Sequence, residues 1–73
     1  MIDVDWNKLA TTTIKVELAR SGIGYEELIR RLEDIGVHES YTGIAAKINR
    51  GTFSFAFFMQ CMRALELKTI RLD

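Results

Sequence analysis

The 73-residue chain has no proline, one cysteine, one histidine and five glycines, and its ten basic residues balance ten acidic ones. Each shortage excludes something. Without proline and with few glycines, little of the chain is reserved for long loops, so regular structure must run nearly end to end. The single Cys61 cannot form an internal disulfide, and with only His38 beside it no metal-binding set of cysteines and histidines can be assembled. Zero net charge leaves no long-range field to draw in a polyanion, which argues against binding nucleic acid through bulk charge alone. No apolar run approaches the roughly 20 residues needed to span a bilayer, and the N-terminus lacks the regions of a secretory signal. These absences lead us to expect one domain over residues 1–73, cytoplasmic and reducing, with no cofactor, no membrane association and no evident small-molecule substrate.

What is present is apolar surface, 48% of the residues. Ordering a chain of this length costs on the order of 100 kcal/mol of conformational entropy, so most of that surface must be buried. The spacing and the capping residues predict an all-α, compact four-helix domain. Asp5 can cap a first helix with Trp6, Leu9, Ala10, Thr13, Ile14 and Leu18 on one broad face. The β-branched run Thr11–Thr12–Thr13 weakens that helix locally, and Glu17, projecting toward its apolar face, is expected to be half-exposed. Ser21-Gly22 ends it. Gly24 then precedes a second helix with Leu28, Ile29, Leu32 and Ile35 inward, stopped by Gly36 with Val37 folding back. Residues 1–4 and 69–72 alternate apolar and polar, and each is too short for a strand unless it finds a partner.

Ser40 is the N-cap of a third helix, 41–50, whose bulk is confined to Tyr41, Ile44 and Ile48. Its small residues, Gly43 among them, let it lie close either to a neighbouring helix or to another molecule. Gly51 ends it, and Ser54 caps a fourth helix in which Phe53 and Phe58 occupy the two positions of a hydrophobic staple. Phe55, Phe58, Met59, Met62 and Leu65 form the predicted inner stripe. Phe57 falls outside that stripe, so it is either covered by the third helix or available to an interface.

Two segments and the helix order resemble the lambda-repressor-like helix-turn-helix domains of bacterial and phage regulators. Gly22-Ile23-Gly24-Tyr25-Glu26-Glu27-Leu28 is similar to their Gly-Leu-Ser-Gln-Glu-Glu-Leu approach to helix two. Ile48-Asn49-Arg50-Gly51 is similar to the Ile-Glu-Asn-Gly close of their recognition helix, and the run from Ser54 matches their fourth helix without a gap. The resemblance spans residues 14–67. Helix two is about one turn longer than usual, and the interval from Val37 to Gly51 is about three residues longer. More closely, the chain resembles a small uncharacterised bacterial domain family of about seventy residues, through its Arg-Gly-Thr-Phe-Ser and Phe-Phe-x-Gln-Cys elements.

That resemblance implies binding of double-stranded DNA with helix 41–50 as the recognition helix. Tyr41, Thr42, Ala46 and Asn49 would face bases, and Lys47 and Arg50 would hold phosphates, helped by Ser40. A homodimer is expected, with Thr69, Ile70, Arg71 and Leu72 pairing across a two-fold axis. The competing expectation is a protein-interaction module on the same scaffold, with Phe57 at the interface. A continuous basic rim of Lys47, Arg50 and Arg30 or Arg31 would favour DNA, whereas an apolar patch around Phe57 would favour a protein. Neither His38 nor the tyrosines and acids show a nucleophile–base spacing, so no enzyme is expected.

Overall fold

The computed structural model describes residues 3–72, arranged as four helices: α1 Trp6–Ser21, α2 Tyr25–Asp34, α3 Tyr41–Arg50 and α4 Phe55–Ala64. The caps follow the local chemistry. Asp5 accepts from the Lys8 amide at 3.0 Å, Ser40 from Gly43 and Ser54 from Phe57, so three helices open on a side-chain oxygen. α1 ends on Gly22 in the left-handed conformation, and Ile23 N–H returns to the Leu18 carbonyl as in a Schellman motif. Val37 makes the same return to Leu32, which ends α2 at Asp34 and leaves Ile35 half-exposed rather than in the core. Leu67 returns to Met62 around Glu66, a non-glycine residue at positive φ.

α3 packs against α1 and α2, and α2 against α4, whereas α1 and α4 are not a closely packed pair. Ile14, Leu28, Leu32, Ile44, Ile48 and Cys61 are fully buried at the centre, with Leu18, Phe57, Met62 and Leu65 around them. Phe53 stacks on Phe58, with centroids 6.5 Å apart and planes 9° apart, which is the expected staple.

The phase of α4 differs from the expected one. Phe57, Cys61 and Ala64 point inward, while Phe55 and Met59 are exposed at 74% and 52%. Phe57 is therefore a covered core residue and not an exposed interface aromatic. α1 departs from the expectation along its length: at its start Trp6 is 70% exposed and Leu9 is at the surface, while Glu17 in its second half is buried. No strand forms among the described residues. Residues 69–72 run without regular structure in the single chain, and Ile70 packs on the core. Of residues 1–4, the first two lie outside the described residues. Gly43 approaches only Ser40 and Glu39, so its small size does not serve packing against another helix.

Candidate functional site

The third helix is fixed at its C-terminal end by contacts at the level of the backbone. Gly51 adopts φ 71°, which favours glycine, and a Cβ added there would collide with the backbone carbonyl of Asn7 and lie 2.9 Å from Thr11 Oγ1. Thr11 Oγ1 donates to the Ile48 carbonyl at 2.5 Å. That hydroxyl satisfies one of the carbonyls left unpaired at a helix end, and it does so from another helix. The second of the three threonines that weaken α1 locally is exposed, but the first thus anchors α3 to it.

With Ile44 and Ile48 turned inward and fully buried, Tyr41, Thr42, Ala46, Lys47, Asn49 and Arg50 are exposed, as is the cap Ser40. All seven residues named from the sequence therefore reach solvent on or beside one helix. Tyr41 meets Tyr25 edge to face at 5.7 Å, which brings the starts of α2 and α3 together. Burial and the neighbouring Tyr41 push the Tyr25 phenol above its usual range, so it remains a donor at neutral pH.

The charges on this surface are partly committed. Lys47 Nζ lies 2.6 Å from Glu39 Oε2 and 5.0 Å from the centroid of Phe57. Glu39 is mostly buried, so this pair is less exposed to solvent than an ordinary surface ion pair. Arg50 forms no ion pair among the described residues. Arg30 and Arg31 do not extend the rim: both bind Glu27, Arg30 also binds Asp34, and Arg31 reaches the Ala64 carbonyl at the end of α4. The hydrogen bonds from Arg30 and then Arg31 hold the Glu27 carboxyl down at about 2.

Residues 6–70 match the family described as a domain of unknown function, DUF6471. The chain belongs to that family. No curated protein and no solved structure matches the chain. In this DUF6471 domain no helix among the described residues is long and apolar enough to cross a membrane, and no three metal-ligating side chains cluster among them. Burial, with Glu39 nearby, pushes the Cys61 thiol up to about 12, so it is a protonated core side chain. The residues that sequence reasoning missed are Thr11, Asn7 and Glu39. Their partners lie 8 to 44 positions away in the chain and follow no helical spacing; only Gly51 pointed to a constraint there.

Proposed function

We propose that this domain binds double-stranded DNA through the exposed face of α3, working as a pair of copies. One observation carries the reading: α3 buries only two isoleucines, presents small and amide side chains outward, and is held against α1 at its last turn. A rigid helix with little bulk suits close approach to a major groove. Asn49 supplies the donor and acceptor that pair with adenine, Thr42 and Ala46 suit a thymine methyl, and Arg50 supplies an uncommitted cation for phosphate. The helix order and the caps agree with the lambda-repressor-like resemblance. The connection between α2 and α3, residues 35–40, is longer than the usual three- or four-residue turn, so α3 would meet the groove at its own angle.

Affinity would be modest. Lys47 must leave Glu39 to reach a phosphate, and each phosphate neutralised contributes a salt slope of about 0.9. A labelled pool of random duplexes titrated at low salt tests the reading. Binding is expected, weakened by Arg50→Ala on all sequences and by Asn49→Ala on the selected ones; no binding at the lowest salt overturns it. The second reading, an interaction module that does not bind DNA, is favoured by the absence of a continuous basic rim: Lys47 is neutralised by Glu39, and Arg30 and Arg31 are occupied on α2.

A further inference from the structure

Where α1 and α4 fail to close on each other, a groove of about 440 Å³ runs between Trp6, Phe55 and Leu72. These three side chains are 70%, 74% and 74% exposed and stand along its edges, with Ala10, Phe58 and Ile70 below. The groove has almost no polar chemistry left to offer. Its Thr13 hydroxyl donates to the Leu9 carbonyl, and its Ser54 hydroxyl accepts from the Phe57 amide. An oriented small ligand needs convergent polar groups, and this surface does not provide them.

We infer that this groove is the contact between two copies of the chain, with Trp6 and Phe55 of each packing against the other. Area supports a second copy. Trp6 and Phe55 alone leave about 300 Å² of aromatic surface exposed, a substantial part of the roughly 800 Å² per partner in a stable interface. Leu9, Leu72 and the rim extend it. Because net charge is zero, the copies do not repel at long range. The groove side of α1 faces away from α3, since Thr13 lies about 200° around the helix from Thr11, and both α3 surfaces stay open. The contact rests on the DNA-binding reading only for its purpose.

Trp6 is the one tryptophan, so its emission reports on the groove itself. Sedimentation equilibrium and tryptophan emission, both without DNA, are measured from micromolar to millimolar protein. The expected result is a rise to twice the monomer mass with a parallel blue shift. Phe55→Ser should weaken association at least tenfold while far-UV circular dichroism stays unchanged, and Leu72→Ser should weaken it less. A monomer at every concentration overturns the inference; so does a dimer in which Trp6 emission never shifts, since that dimer uses another face. Loss of DNA binding with association intact would reject the functional reading alone.

Discussion

The two flanks of α1 are built on opposite terms. On one, Asn7 and Thr11 meet Gly51 and the last carbonyls of α3 so closely that no side chain fits between them. On the other, Trp6 and Leu9 stand beside Phe55 across a gap that α4 does not close. The closed flank depends on a particular backbone conformation and a particular hydroxyl, so few residues could replace those present. The open flank depends on apolar bulk, which many residues supply. A surface that must hold its position is thus joined to its neighbour through main chain, and a surface that awaits contact is made of side chains.

The sharpest way to break this contrast is Gly51→Ala. It forces a Cβ into the Asn7 carbonyl at a left-handed φ, and a loss of more than about 4 kcal/mol is expected in urea unfolding. Next comes the fourth helix. Phe57→Ala should cost about 3 kcal/mol, whereas Phe55→Ala, measured where the protein is monomeric, should cost less than about 0.5 kcal/mol. Equal losses would mean that the open flank is already closed within one chain. Thr11→Val keeps the shape and removes the hydroxyl from the Ile48 carbonyl; a loss of about 1 kcal/mol is expected, with faster hydrogen exchange in the last turn of α3.

The smallest effect lies far from both flanks, at Glu27. Its folded carboxyl is held at about 2, below the ordinary 4.5, by Arg30 and then Arg31. Stability from this source is present above pH 4.5 and fades as pH falls toward 2, because the unfolded chain takes up the proton first. Glu27→Gln should therefore flatten the acid limb of a urea-midpoint profile and leave its neutral region slightly lowered.

The helix ends were readable because caps are local: Asp5, Ser40, Gly51 and Ser54 each act within a few residues of their position in the chain. The residues of the candidate surface on α3 were readable for a related reason, since two isoleucines four apart leave one inward direction. The phase of α4 was not. Phe55, Phe57, Phe58, Met59, Cys61 and Met62 spread over an arc of about 200°, wider than the face a helix buries, so periodicity does not decide which of them face inward, and packing against α2 decides it. Glu17 and Trp6 were misplaced for another reason: they lie about 20° apart around α1, and burial there changes along the helix, its buried residues all falling in its second half. The pairing of Glu39 with Lys47 spans a helix cap and eight positions, where no spacing rule applies.

The thiol of Cys61 is sealed in the centre of the molecule and protonated far above neutral pH. A thiol reagent therefore reaches it only when the packing around α4 opens, and where reclosing is faster than labelling the rate follows the population of that opened state.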